Sequence, residues 1–153
     1  MNRYVIGIDP GLKGGIAVLE ARGDVVEVVT MPQTPLDILA FLRQYFAEQC
    51  VAYLEDVGHG MPGQSSKATA TFARHCGHLE MALLSLGIKT NVVTPQKWQK
   101  AYQLGKSGEY TKSEWKNKLK AKAQQLFPKE KVTLTNADAL LIAEYGRKKE
   151  IAE

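Results

Sequence analysis

The chain has only two cysteines, Cys50 and Cys76, so it can close one disulfide at most. That excludes a fold stapled by bridges, and a reduced cytoplasmic protein is the expectation. No run of 18 apolar residues occurs, which argues against a membrane-spanning helix and against a membrane partner. Met1-Asn2-Arg3 passes straight into a β-like stretch, so no signal peptide is expected. Of the three histidines, His75 and His78 lie three apart with no cysteine pair beside them, and they read as surface or interface residues rather than zinc ligands. Internal repeats, low-complexity stretches and linkers are also missing. The expectation is therefore one domain over residues 1–153, long enough for a full core.

Charge is present but unevenly placed. The net charge of +4 hides 6 Lys+Arg against 9 Asp+Glu in residues 1–87, and 14 against 7 in residues 88–153. A basic half suits a polyanion, of which nucleic acid is the usual one. A lysine-rich helix can also be no more than a solvated face.

The pattern along the chain is that of an α/β protein. Residues 3–8, 14–20 and 24–30 read as strands joined by turns short enough for an antiparallel meander. Thr34-Pro35 opens a helix whose stripe Leu36, Leu39, Leu42 and Phe46 runs to about Gln49. Val51 to Val57 is a fourth strand and, coming after a helix, should run parallel to the first. A loop with Gly60, Pro62 and Gly63 leads to a long helix over Ser66 to Leu86, closed by Gly87. Lys89 to Thr94 is a fifth strand, and Thr94-Pro95 starts a short helix holding Trp98. Thr111-Lys112-Ser113-Glu114 is a capping box for a helix with Trp115, Leu119, Ala123 and Leu126 on one face and Lys112, Lys116 and Lys120 on another. A last helix runs from Thr135 to about Lys149. Together these predict a mixed five-stranded sheet, three strands antiparallel and two parallel, with helices on both faces.

Three acids could meet on that frame. Asp9 ends the apolar strand Ile6-Gly7-Ile8 and precedes the turn Pro10-Gly11, an expensive place for a charge unless a cation is held there. Glu55 would lie at the same carboxyl edge if the first and fourth strands are neighbours, and that edge is where α/β sheets bind ligands. Asp138, in Asn136-Ala137-Asp138-Ala139-Leu140-Leu141, could reach the same edge from the first turn of its helix. Thr135-x-x-Asp138 fits a helix cap equally well, and Glu55 could be a solvated strand end. Carboxylates gathered this closely repel one another unless a hard cation such as magnesium sits between them.

The segments Gly7-Ile8-Asp9-Pro10-Gly11, Leu54-Glu55-Asp56-Val57 with Met61-Pro62-Gly63-Gln64, Val93-Thr94-Pro95-Gln96-Lys97-Trp98, and Ala137-Asp138-Ala139-Leu140-Leu141-Ile142-Ala143 occur in order over nearly the whole chain. In this the chain resembles the RuvC family of Holliday junction resolvases, most of all its short phage and prophage-type members, within the RNase H-like superfamily. The resemblance implies a homodimeric, metal-dependent endonuclease of DNA recombination and repair. Such an enzyme cuts a four-way junction symmetrically and leaves 5′-phosphate and 3′-hydroxyl ends. It would work in the cytoplasm, the host's if phage-encoded.

Asp9, Glu55 and Asp138 match three family metal ligands, for two magnesium ions with manganese as the alternative and no small-molecule cofactor. Two ions about 3.5–4 Å apart suit phosphodiester hydrolysis. The family's remaining acid or histidine, three residues before the last ligand, is here Thr135, a departure. Lys112 stands where the family places a lysine near the scissile phosphate, and Lys97, Lys100, Lys116 and Lys120 are further DNA-contact candidates. The family's dimer contact falls on the long helix, here at Phe72, Ala73, Cys76 and Gly77. Its aromatic wedge has no aromatic counterpart in the loop, where His59 and Met61, or Phe72 from the helix, would stand in. Relaxed cutting of branched DNA follows as an expectation. The competing readings are a YqgF-like nuclease acting on RNA or linear nucleic acid, a catalytically dead DNA-binding scaffold, and a phosphate-binding module of the actin and sugar-kinase type. That last superfamily needs two such domains.

Overall fold

Five apolar or small residues and a closing aspartate, Tyr4–Asp9, form the central strand β1 of a computed structural model that describes residues 2–58 and 63–152. β1 pairs antiparallel with β2 (Gly15–Glu20), which pairs antiparallel with β3 (Val25–Thr30). On its other side β1 runs parallel to β4 (Cys50–Glu55), and β4 runs parallel to β5 (Lys89–Val93). The order is β3-β2-β1-β4-β5, the mixed sheet expected from the pattern.

Because strand side chains alternate, the sheet sorts its residues onto two cores. Ile6, Ile8, Ala52 and Leu54 face α1 (Pro35–Arg43) and α2 (Ser66–Ser85), where they meet Ile38, Leu42, Leu79 and Leu83. Val5, Val51 and Tyr53 face α3 (Pro95–Lys100), α4 (Lys112–Leu126) and α5 (Ala137–Ala152), where they meet Trp98, Leu119, Leu140 and Ala143. Odd-numbered residues of β1 and β4 therefore point toward α3–α5, and this decides where the acids go.

Gly7 sets how closely α5 approaches. A side chain there would run into the backbone of Ala139 and Ala143, so only glycine lets the helix lie directly on β1. α5 is buried almost all round over Ala139 to Gly146.

Three local readings are corrected. α1 ends at Arg43, not near Gln49; Phe46 is extended, and a short 3-10 turn over Ala47–Gln49 leads into β4. Its buried face is Ile38, Phe41 and Leu42, while Leu36 and Phe46 are exposed. The aromatic that closes this end is Tyr45, packed on Tyr4 and donating its hydroxyl to Glu27. β4 ends at Glu55, one bond from Asp56 N–H to the Val93 carbonyl carrying the pairing a step further. α5 starts at Ala137, and its entry is capped by Thr133 and Asn136, each backbone N–H donating to the other's side-chain oxygen. The Thr111–Glu114 capping box of α4 is formed as read. Among the described residues, no helix is long and apolar enough to cross a membrane.

Candidate functional site

Ile8 pairs with Leu54, so the next residues, Asp9 and Glu55, end neighbouring parallel strands side by side and on the same face of the sheet. α5 crosses that face, and Asp138 lies in its first turn. With Thr133 and Asn136 capping the helix, Asp138 is not needed as its cap. Asp9 and Glu55 share a side-chain hydrogen bond, and the charge of Asp138 bears on both.

The electrostatics are those of crowded acids, Glu55 buried and Asp9 and Asp138 half-buried at the sheet edge. Burial, then Asp138, then Glu55 push the Asp9 carboxyl up to about 9. Burial raises Glu55 to about 7, with Asp138 adding to it and hydrogen bonds from Trp98 and Asp9 opposing it. Burial raises Asp138 to about 6, opposed by Lys116. Asp9 and Glu55 titrate as a pair, both held above the ordinary carboxylate range, chiefly by burial. Glu55 is only 8% exposed. Its Oε2 accepts a 2.7 Å hydrogen bond from the indole Nε1–H of Trp98, in the range of a charge-assisted bond.

These donors fit a hard divalent ion by chemistry, since all three are carboxylates whose repulsion a cation would relieve. They are not drawn together round one point: among the described residues no group of three or more His, Cys, Asp or Glu side chains is placed to hold a metal ion by itself. An open cluster suits magnesium, which keeps several waters and takes one or two protein carboxylates together with substrate phosphates.

The remaining sequence candidates separate. Lys112, Lys116 and Lys120 recur every four residues along α4, and Lys116 is the cation whose charge reaches Asp9 and Asp138. Lys112 is exposed at the first turn of the same helix. Lys97 and Lys100 belong to a different place, a cleft of about 380 Å³ between α3 and α5 shared with Lys148, Lys149, Tyr102 and Tyr145. Phe72, Ala73 and Cys76 line a cavity of about 420 Å³ beside Pro10, Glu55 and Asp56, on the α2 side of the acids. Gly77 is exposed one turn along α2. Phe72 also walls a second cavity of about 660 Å³ with Gly11, Lys13, Lys67 and His75. His75 is buried, where a surface or interface residue was expected, and lines this cavity beside the β1–β2 turn. Thr135 is half-buried at the approach to α5, its carbonyl close to Gly15. His59 and Met61 lie outside the described residues.

Sequence reasoning gave Trp98 no role beyond its motif. Its signal was a lone aromatic in the otherwise polar short helix Pro95-Gln96-Lys97-Trp98-Gln99-Lys100, directly after the carboxyl end of β5.

No family model matches the chain, and no curated protein matches it in sequence. Solved structures do match. Thermus thermophilus RuvC aligns with a TM-score of 0.66 over 97% of this chain and 96% of its own, at 19% identity. T. thermophilus RuvC in complex with a Holliday junction substrate aligns with a TM-score of 0.69 over 98% and 96%, at 18% identity. The chain has the RuvC fold. At this level of identity the likeness to RuvC is one of architecture: the five-stranded sheet and its helices correspond over nearly the full length of both chains.

Proposed function

We propose that this protein is a metal-dependent endonuclease that resolves four-way DNA junctions. The observation that carries the reading is the meeting of Asp9, Glu55 and Asp138 at the carboxyl edge of β1 and β4, each pushed toward its protonated form. A structural role gives no reason to gather three acids where burial and mutual repulsion penalise them, whereas a phosphodiesterase needs such a cluster. That a RuvC of the same fold is described with a Holliday junction substrate supports branched DNA as the substrate class.

Asp9, Glu55 and Asp138 would hold magnesium, or manganese in its place. Bound there, the metal would lower the pKa of a water and polarise the phosphodiester, leaving 5′-phosphate and 3′-hydroxyl ends. The chain's own part is positional. Asp9 would have to be ionised to bind the ion, and a cation's charge would favour that form. Glu55 keeps its orientation through Trp98. Lys116 adds a positive charge at the cluster that a scissile phosphate would meet. With Thr135 in place of a fourth acid, a second ion would be completed mainly by water and phosphate oxygens. Lys112 and Lys120 on α4, and Lys97 and Lys100 in their own cleft, are placed to take up flanking backbone phosphates.

Symmetric cleavage calls for a twofold dimer. A strip on α2 supports one: Ala73, Gly77, Met81 and Leu84 are all exposed, and Val92 on the edge strand β5 continues it. Met81, Leu84 and Val92 are each more than 60% exposed, an apolar surface worth covering. Phe72 and Cys76 lie at the end of this strip nearest the acids.

The test is a cleavage assay in magnesium with a labelled four-way junction, a Y-fork and a linear duplex of matched sequence. Paired symmetric nicks in the junction by wild type, lost in Asp9→Asn while junction binding persists, are the expected result. Normal cleavage by Asp9→Asn would refute the site. Cleavage of RNA but of no DNA would move the protein to the YqgF-like reading.

A further inference from the structure

The short helix α3 connects two of the acid-bearing elements through a continuous set of contacts. Trp98 is fully buried, and its Nε1–H donates to Oε2 of Glu55 at the end of β4. Its ring meets that of Tyr102 edge-to-face, with centroids 6.4 Å apart and planes at 75°. The Tyr102 hydroxyl donates to the carbonyl of Leu141, three residues past Asp138 on α5. The path therefore runs from Glu55 through Trp98 and Tyr102 to the helix that carries Asp138.

Resting on the acid-site reading above, we infer that Trp98 is a positioning residue for the acid cluster. Its indole N–H fixes the Glu55 carboxylate, and together with Tyr102 it sets the separation between the strand end bearing Glu55 and the helix turn bearing Asp138. The type of donor fits the task. A lysine or arginine on Glu55 would neutralise the carboxylate and compete with a cation. An indole N–H orients the oxygen and leaves its charge available. A buried indole N–H needs an acceptor somewhere; here the acceptor is the one strand-end carboxylate that already shares a hydrogen bond with Asp9. A hydrocarbon side chain would fill the same space in the core and fix nothing.

Groups that orient metal-binding carboxylates in this way cost about 10–100-fold in metal affinity or activity when removed. Trp98→Phe keeps an aromatic ring and removes the N–H. The expected result is a 10–100-fold rise in the magnesium concentration for half-maximal cleavage, with KM for junction DNA within about twofold of wild type. A readout independent of activity is the pair of indole N–H signals in the ¹⁵N-labelled full chain, assigned by their loss in Trp98→Phe and Trp115→Phe. The Trp98 signal should shift on adding magnesium, and also in Glu55→Gln. The Trp115 signal, from an N–H that donates to Gln99, should stay. A folded Trp98→Phe with wild-type magnesium dependence would overturn the inference, as would a Trp98 signal that ignores both magnesium and Glu55→Gln. Should Trp98→Phe fail to fold, the wild-type signal decides on its own. The acid-site reading is separately exposed: normal cleavage by Asp9→Asn would end it, while the Glu55→Gln shift would still report whether Trp98 holds Glu55.

Discussion

Replacing Asp9 by Asn should stabilise the metal-free protein. In the unfolded chain this carboxyl ionises at its ordinary value of 3.8, whereas in the folded protein it holds its proton up to about pH 9. Below pH 4 both states are protonated and the site costs nothing. As pH rises, the unfolded state releases the proton and the folded state does not, so stability falls through the whole window from about pH 4 to pH 9. At pH 7 that is about three units at roughly 1.4 kcal/mol each, an upper limit of about 4 kcal/mol. Asn has nearly the same shape and no charge to bury, and its amide can donate to Glu55. A gain of about 2–4 kcal/mol is expected, which for a chain of this size is a rise in melting temperature of about 5–10 °C. The assay is thermal unfolding in chelator at pH 4, 5.5, 7 and 8.5. The gap between mutant and wild type should be near zero at pH 4 and widen with pH. Magnesium should then reverse the order, raising wild type by mass action and leaving Asp9→Asn almost unmoved. An Asp9→Asn protein that melts at or below wild type at pH 7 in chelator would refute the crowded-acid argument.

Other perturbations reach different parts of the argument. Gly7→Ala would force β1 and α5 apart against the backbone of Ala139 and Ala143, and should cost about 3 kcal/mol in urea unfolding while disturbing the site through Asp138. Lys116→Met should raise the Asp138 pKa further, seen by carboxyl NMR titration of metal-free protein, and lower kcat about 10-fold or more; Lys112→Met should leave the Asp138 titration unchanged. Met81→Glu with Leu84→Glu should turn a dimer into a monomer on a sizing column, and a dimer that survives would move the interface elsewhere. Junction affinity should fall steeply and log-linearly between about 50 and 200 mM salt, and a flat response would argue against the lysines of α3 and α4 as phosphate contacts.

Much of the fold was legible because its signals are local. The meander needs only short turns, and β4 follows a helix and so had to return parallel. Thr34, Thr94 and Thr111 cap helices by hydrogen bonds to residues three positions on, which sequence spacing shows directly. The errors came where local pattern and tertiary contact disagree. Phe46 fits a helical stripe with Leu42, yet Tyr45 is the residue that Tyr4 and Glu27 hold at that end, and the helix stops before Phe46. Thr135-x-x-Asp138 fits a capping pattern, but Thr133 and Asn136 form the cap.

The candidate site divides along the same line. The sequence by itself determined that Asp9 ends a buried strand, that Glu55 ends another, and that Asp138 opens an apolar helix, because alternation and helical period are properties of consecutive residues. Only the tertiary structure decided that the three share one face of the sheet. That depended on strand order, on the one-to-one register of β1 with β4, and on a glycine that lets α5 rest on β1. Only the tertiary structure brought Trp98 to Glu55 across 43 residues of chain, chose Lys116 as the cation that reaches the acids, and sent Lys97 and Lys100 to a separate cleft. Long-range contacts of this kind leave no periodic trace in a single sequence. The energy of crowding three acids, Glu55 buried and Asp9 and Asp138 half-buried, is likewise a property of their distances and burial, which exist only once the chain has folded.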